Sequence, residues 1–349
     1  MDVSPAVVLT DTVPEGVLHS LCAHNMDQQE TASSYYAGYV TTRCREFLTD
    51  GGRHTNARTY NHVLILADAI RSGKSKAEIS TTPLISMSTH DAAGVLVPGH
   101  ERQQLACPTE TSIDLCASLL TMVDIGRPPL AFSGRRPLLW SSGPLREFLG
   151  SYFHQPKDLV PDNQQIGKIF NAVNLRRLAG IKMQWSSNMA NHLRLADDEK
   201  TVFIFHHAAF LKTQKRAAQD QTLLPAGVVE ETLRTLSLLF PQNDAKTKGW
   251  MSSQAGDMDP ELRRCGALRA HDRRFDKFAV WHDRLVILKQ VFDEARPETI
   301  PQWWRDRRDR VQWYTFWVAI WVLGLTVLFG LIQSVEGAVQ IYATYNVAA

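Results

Sequence analysis

The chain has 349 residues, of which 44% are hydrophobic and 21% are charged. This composition excludes a fibrous or wholly disordered protein and is typical of one or two globular domains. The formal net charge of +2 excludes a general attraction to nucleic acids, so nucleic-acid binding would need a local basic surface.

The five cysteines are far apart, and no two have the C-x-x-C spacing of a metal or redox site. They indicate free thiols in a reducing compartment. Residues 1–30 show no hydrophobic period, and they carry acidic residues where a signal peptide carries basic ones. We therefore expect a disordered N-terminus and a cytosolic location for most of the chain.

Residues 31–296 are predicted to form the cytosolic globular region, and its first clear helix covers residues 57–72. Gly73 is expected to end this helix in a left-handed conformation. Ser75 and Glu78 are spaced as a capping box for the turn that follows. The segment "ADAIRSGKSKAE", which contains these residues, superficially matches a phosphate-binding loop. Asp68 stands where that loop needs glycine, so nucleotide binding is not predicted.

Two further segments precede the middle of the chain. Residues 86–110 have the composition of a long loop. Residues 111–126 have the spacing of an amphipathic helix, and Gly126 is expected to stop it.

The middle of the chain gives the strongest patterns. Asp162 and Gln165 form a capping box ahead of a predicted helix over residues 163–178. Its expected buried stripe consists of Ile166, Ile169, Phe170 and Val173. Residues 181–185 are predicted to be a strand, and residues 192–207 two strands joined by an acidic turn.

Two more helices are predicted before the end of the globular region. The first covers residues 225–241 and carries Glu230 and Glu231 in its first turn. A polar connector over 241–272 follows, predicted to be a mobile loop. The last helix has an apolar seam that either closes its own domain, which we favour, or faces a partner. The seam consists of Phe278, Trp281, Leu285, Leu288 and Phe292.

These elements predict an α+β fold with a mainly helical cytosolic domain, a small antiparallel sheet and one C-terminal transmembrane helix. The sequence offers no clear chemistry within it. His206 and His207 would point to opposite faces of a strand, so that even with His192 they do not predict a metal site. The basic doublets at Arg135–Arg136 and Arg176–Arg177 are too sparse to predict nucleic-acid binding.

No Ser–His or Cys–His motif with a recognisable local context is present, so the sequence identifies no catalytic residue and no cofactor. Paired carboxylates are equally uninformative, because Asp197 and Asp198 lie in a predicted turn.

The segment "WYTFWVAIWVLGLTVLFGLI", residues 313–332, differs from the rest of the chain because it contains no charged side chain. Twenty helical residues rise about 30 Å, which matches the hydrocarbon thickness of a bilayer. A transmembrane helix is therefore predicted here, with the lipid bilayer as its partner. Its apolar surface includes Trp313, Trp317, Trp321, Leu325, Phe329 and Ile332.

The charge distribution around this segment predicts its orientation. Residues 297–312 form an aromatic and basic juxtamembrane segment, and no lysine or arginine follows the span. The positive-inside rule then places the N-terminal side in the cytosol and residues 333–349 outside it as a short tail. The result is a single-pass, tail-anchored topology, and the non-basic tail favours an endomembrane over mitochondria. The orientation is set by Arg305, Arg307, Arg308 and Arg310.

Small residues recur on one face of the same helix. Gly330, Ser334 and Ala338 are four residues apart, which lets two membrane helices approach closely. Two interpretations stay open: a homo-oligomer formed through this face of the membrane helix, or small residues that are simply common in membrane helices.

Long blocks of the chain resemble a group of uncharacterised proteins of filamentous ascomycete fungi. The blocks are "GIKMQWSSNMANHLRLADDEKTVFIFHHAAFL", "LLPAGVVEETLRTLSLLFP" and the segment from "FAVWHDRLVILKQVFDEA" through the membrane helix to "GAVQIY", together with "TMVDIG" and "FSGRRPLLW" earlier. The resemblance covers about residues 111–345. It implies a fungal protein in which the globular part and the membrane helix occur together, and it transfers no functional residue.

Two interpretations of function remain open. The first is a non-enzymatic interaction module on the cytosolic face of a membrane, bound to an unknown cytosolic protein. The second is a membrane-tethered hydrolase whose site is assembled from residues distant in sequence. A folded pocket with perturbed titratable groups would favour the second interpretation.

Overall fold

The computed structural model describes residues 8–9, 11–22, 30–48, 53–84, 107–127, 137–154, 157–161, 164–198, 200–217, 222–254, 256, 258–295 and 310–347. Among these residues, seven α-helices precede the sheet: α1 (Glu15–Leu21), α2 (Glu30–Leu48), α3 (Tyr60–Arg71), α4 (Lys76–Ser80), α5 (Glu110–Thr121), α6 (Leu145–Phe153) and α7 (Ala172–Leu178). The strands are β1 (Lys182–Ser186), β2 (Leu195–Ala196) and β3 (Thr201–Phe205). After them come α8 (Ala208–Arg216), α9 (Ala226–Leu239), α10 (Ala245–Ser253), α11 (His282–Glu294) and α12 (Arg310–Val347).

The predicted class is confirmed: the chain is mainly helical, with one small sheet and one long apolar C-terminal helix. The sheet has the order β1-β3-β2. The predicted pair of strands around the acidic turn is present as antiparallel β2 and β3, and both Asp197 and Asp198 adopt a positive φ in the turn. The sheet is nevertheless mixed, because β1 pairs with β3 in parallel and Ser186 lies opposite Phe205.

Helix α5 is the central helix of the group formed by α2, α3, α4 and α5. All ten of its residues from Ser112 to Thr121 are buried, because α2, α3 and α4 contact it from different sides. The predicted caps next to it are confirmed: Gly73 follows α3 with a φ of +80°, and Ser75 and Glu78 form both hydrogen bonds of a capping box. The apolar stripe of α3 thus packs on α5 as a short amphipathic helix packs on a core.

The seam before and along α11 closes the protein's own core, which confirms the favoured interpretation. Its five residues are at most 2% exposed: Phe278, Trp281, Leu285, Leu288 and Phe292. Glu231 in α9 fixes the approach to this helix, because its carboxylate accepts hydrogen bonds from the N–H groups of Ala279 (2.7 Å) and Trp281 (2.6 Å). The prediction that Glu230 and Glu231 lie in the first turn of their helix is wrong, since α9 begins at Ala226 and has no acidic residue in its first turn.

Two segments that were expected to lack structure contain helices. Within residues 1–30, α1 buries Val17, Leu18 and Leu21. Within residues 241–272, α10 is capped by Asp244, whose side chain accepts from the Thr247 N–H at 3.0 Å. Both helices have few apolar positions, so their amphipathic signal is weak. Residues 86–106 of the predicted loop lie outside the described residues.

The helix predicted over 163–178 is present only from Ala172, where Asn171 caps it through the Asn174 N–H at 2.9 Å. Before the helix, the Ile166 N–H donates to Arg273 O at 2.7 Å beside an antiparallel bridge between Gln165 and Arg274, and residues 168–169 then form a turn. Ile169 of the predicted buried stripe is consequently 40% exposed. Asp162 of the predicted capping box lies outside the described residues.

Helix α5 also ends earlier than predicted. Its last residue is Thr121, and Met122 supplies the left-handed C-cap with a φ of 51°. Gly126 adopts a φ of +80° further along, where a side chain would overlap the buried carboxylate of Asp114. Gly126 is therefore required by a close approach and not by the helix end.

Candidate functional sites: the membrane helix and the end of the sheet

The C-terminal helix is long and apolar enough to span a membrane. Its section Trp313–Ile341 has 29 residues, and the most apolar 18-residue stretch within it has a mean hydropathy of 2.2 and is not buried. A helix of that length measures about 44 Å, which exceeds the roughly 30 Å hydrocarbon core. A long core helix of a soluble protein would be covered by its neighbours, whereas this one presents its apolar surface outward.

The side chains predicted to meet lipid lie on this uncovered surface. Trp321, Leu325, Phe329 and Ile332 are all exposed. Trp313 and Trp317 are half-buried because their rings pack on each other, with centroids 6.1 Å apart. The helix differs from the prediction in length, since it continues from the predicted span through residues 333–347 of the expected tail.

The residues predicted to pair two helices are also accessible. Gly330, Ser334 and Ala338 are exposed, and a Cβ added at Gly330 would meet nothing within 4 Å. Among the residues that set the predicted orientation, Arg310 is the first residue of α12. Arg305, Arg307 and Arg308 lie outside the described residues.

A second site lies at the carboxyl end of the two parallel strands. Ser187 directly follows β1, and His206 and His207 directly follow β3. Because β1 and β3 run in the same direction and in register to their last residues, their ends meet at one edge of the sheet. The Ser187 hydroxyl and Nε2 of His207 are 2.9 Å apart.

The ring of His207 is held among aromatic side chains. His207 is 3% exposed, and its ring packs on Tyr39, Phe205 and His206 with centroid distances of 6.1, 5.6 and 4.1 Å. Burial, and secondarily the neighbouring His206, hold the pKa of His207 well below its usual value. The imidazole is therefore neutral at pH 7 and has one nitrogen free to accept a proton.

The turn that carries Ser187 is fixed on both sides. Ser186 and Asn188 are buried and bond to each other: the Asn188 N–H donates to Ser186 Oγ at 3.1 Å, and Ser186 Oγ donates to Asn188 O at 3.2 Å. The Asn188 amide also donates to Asp124 Oδ2 at 2.6 Å. Asp124 Oδ1 in turn lies 3.2 Å from the buried guanidinium of Arg43. The carboxylate that binds Asn188 of this turn is therefore itself held by an ion pair.

The other two histidines of the prediction have structural roles. His192 is fully buried: its Nδ1 accepts from the Phe205 N–H at 3.2 Å, so Nε2 carries the proton and donates to Thr235 Oγ1 at 2.6 Å. Burial lowers the pKa of His192 to about 3, with Arg284 adding to the effect. His206 accepts from the Asp259 N–H at 3.2 Å, and burial lowers its pKa to about 4.

The expectation that His206 and His207 point to opposite faces of a strand is wrong. Both residues lie beyond the end of β3, and the centroids of their rings are 4.1 Å apart. Within the described part of the chain, no group of three His, Cys, Asp or Glu residues is placed to hold a metal ion.

Ser187 and His207 were missed by the sequence reasoning because they are 20 residues apart and belong to no local motif. The only sequence feature that could have indicated the pair is that Ser187 is the first residue after β1 and His207 the second residue after β3. It becomes informative only once the two strands are known to be parallel.

No protein-family model, curated protein or solved structure matches the chain. Functional conclusions therefore rest on the chain's own geometry.

Proposed function

We propose that this protein is a single-pass, tail-anchored membrane protein whose α+β domain is held at the cytosolic face of an endomembrane as an interaction module. The observation that carries the proposal is the uncovered apolar surface of α12 over Trp313–Ile341. Such a surface in water would expose far more contiguous apolar area than a monomeric soluble protein tolerates. A bilayer removes the free-energy cost of exposing this apolar area to water.

The proposed orientation rests on charge. Four arginines precede the span, from Arg305 to Arg310, and no lysine or arginine follows it. An N-glycan acceptor engineered near the N-terminus of the full-length chain should remain unmodified in microsomes, whereas one placed after residue 349 should be glycosylated. The opposite pattern would reverse the proposed orientation.

The module is further proposed to act as a pair. Gly330, Ser334 and Ala338 share one face, since residues four apart on a helix turn by about 400°. Close backbone approach along this face would bring two cytosolic domains together, and so present two copies of the domain to a cytosolic protein.

A bilayer dimerisation assay on residues 301–349 tests the pairing. Gly330→Ile places a branched side chain where the helices would approach, and should weaken association by about 1–2 kcal/mol. Leu331→Ile is the matched control, because it adds the same residue one position round the helix. Equal association of both variants and the wild type would contradict pairing through this face.

A further inference from the structure

We propose that Ser187 and His207 form a nucleophile and general base that hydrolyse carboxylic esters. This activity goes beyond the anchoring and pairing roles. It rests on the distance between the two side chains, on the hydrogen bonds that fix the turn, and on the partial exposure of Ser187.

The distance is that of an activated serine. Ser187 Oγ and His207 Nε2 are 2.9 Å apart, within the range in which an imidazole takes a proton from a nucleophilic hydroxyl. For Ser187 to donate this bond, Nε2 must carry the lone pair. That condition is met when the imidazole is neutral with its proton on Nδ1.

The surroundings of His207 favour its neutral form. Tyr39 reaches the ring from α2, and its own hydroxyl is occupied by a hydrogen bond to Ser118 O at 3.0 Å. His206 is the other titratable group against the ring, and burial makes it neutral too, with its pKa lowered to about 4. The base form of His207 is therefore present without any preceding deprotonation step.

Ser187 is the partly exposed residue of its turn. Ser186 and Asn188 are 9% and 6% exposed, whereas Ser187 between them is partly exposed. The hydrogen bonds of these two neighbours fix the backbone of the turn, so Ser187 keeps one position relative to the imidazole. The carboxyl edge of parallel strands is also where α/β proteins bind ligands.

The chemistry follows from these positions. Ser187 Oγ forms a bond to the acyl carbon while its proton passes to His207 Nε2, and the carbonyl π electrons move to oxygen. The tetrahedral intermediate collapses, the bond to the alcohol oxygen breaks, and the imidazolium returns its proton to the leaving alcohol. Water then attacks the acyl-serine with His207 as base, which releases the carboxylic acid and restores Ser187. The N-terminus of α8, which starts at Ala208, lies next to the pair and favours negative charge.

The test uses the full-length protein in detergent micelles, with p-nitrophenyl acetate as substrate and a fluorophosphonate as covalent probe. Wild-type protein should hydrolyse the ester, and mass spectrometry should place the phosphonyl group on Ser187. Ser187→Ala removes the nucleophile and leaves the His207 base without its proton donor, so it should abolish labelling and lower hydrolysis by at least about 100-fold. Ser253→Ala is the matched control, since Ser253 is an exposed serine whose hydroxyl bonds only within α10, and it should behave as wild type.

His207→Gln should lower labelling at Ser187 to a similar extent, and a thermal melt establishes whether that variant is folded. If it is not folded, the mapped site in the wild type and the Ser187→Ala result decide the matter alone. Labelling of a serine other than Ser187, or hydrolysis by Ser187→Ala at the wild-type rate, would overturn the proposal. Between about pH 6 and pH 8 the hydrolysis rate should not follow the titration of an ordinary histidine near pH 6.5, and such an inflection would likewise overturn it.

Discussion

Mild acid should destabilise the globular domain because three of its histidines are buried in their neutral form. His192, His206 and His207 all have lowered pKa values, about 3 for the first, about 4 for the second and well below the usual value for the third. In the unfolded chain each pKa returns to about 6.5. The unfolded state therefore binds more protons, and the free energy of unfolding rises with pH. The stability these groups confer is complete above about pH 6.5 and is lost as the pH falls below it.

The magnitude follows from the unfolded pKa. Between about pH 7.5 and pH 5.5, protonation of one unfolded histidine lowers the free energy of unfolding by roughly 1.4 kcal/mol. Three such groups give a loss of about 4 kcal/mol, a large part of the 5–15 kcal/mol that stabilises a typical domain. Urea unfolding of the full-length protein in micelles, followed by near-ultraviolet circular dichroism, measures the loss at the two pH values.

A variant isolates the contribution of one group. His192→Gln should shrink the difference between the two pH values by about 1.4 kcal/mol, whatever it does to stability at pH 7.5. Leu285→Ala is the control, because it removes a buried side chain that does not titrate and should lower stability equally at both pH values. Identical stability of the wild type at both pH values would refute the neutral, buried state of these imidazoles.

Three further substitutions test the fold by urea unfolding. Gly126→Ala should cost about 3 kcal/mol more than Gly73→Ala, because both have a φ of +80° but only the first added Cβ overlaps the buried Asp114 carboxylate; equal losses would contradict that contact. Glu231→Ala should cost about 3 kcal/mol by leaving two backbone N–H groups before α11 without an acceptor, and Glu231→Gln, which keeps one acceptor, should cost less. Asp244→Ala should cost about 1 kcal/mol through the lost cap of α10, and an unchanged midpoint would mean that the cap contributes nothing.

The features that could be predicted from the sequence are those set by neighbours along the chain. The capping box at Ser75 and the glycine after α3 depend on residues within one turn, and both are present. The span of α12 depends only on a run of apolar residues. The seam before and along α11 was predictable because its five large side chains are spaced three and four residues apart.

The features that were missed depend on partners distant in sequence. Residues 164–166 pair with 273–275, and this pairing replaces the first turns of the helix that the local pattern favoured. Glu231 was read as a helix-dipole residue, whereas it binds backbone groups about 50 residues away. The contact between Ser187 and His207 exists only because β1 and β3 are parallel. The sequence of either strand alone does not determine whether the two strands pair in parallel.

The central claim is that α12 crosses a bilayer, and alkaline carbonate extraction tests it most directly. Membranes from cells that express the full-length chain, or a chain ending at Arg310, are washed at about pH 11 and separated into pellet and supernatant. The full-length protein should stay in the pellet, because burying about twenty apolar residues in lipid holds it irrespective of charge, and the truncated chain should be soluble. Release of the full-length protein into the supernatant would contradict a membrane-spanning helix.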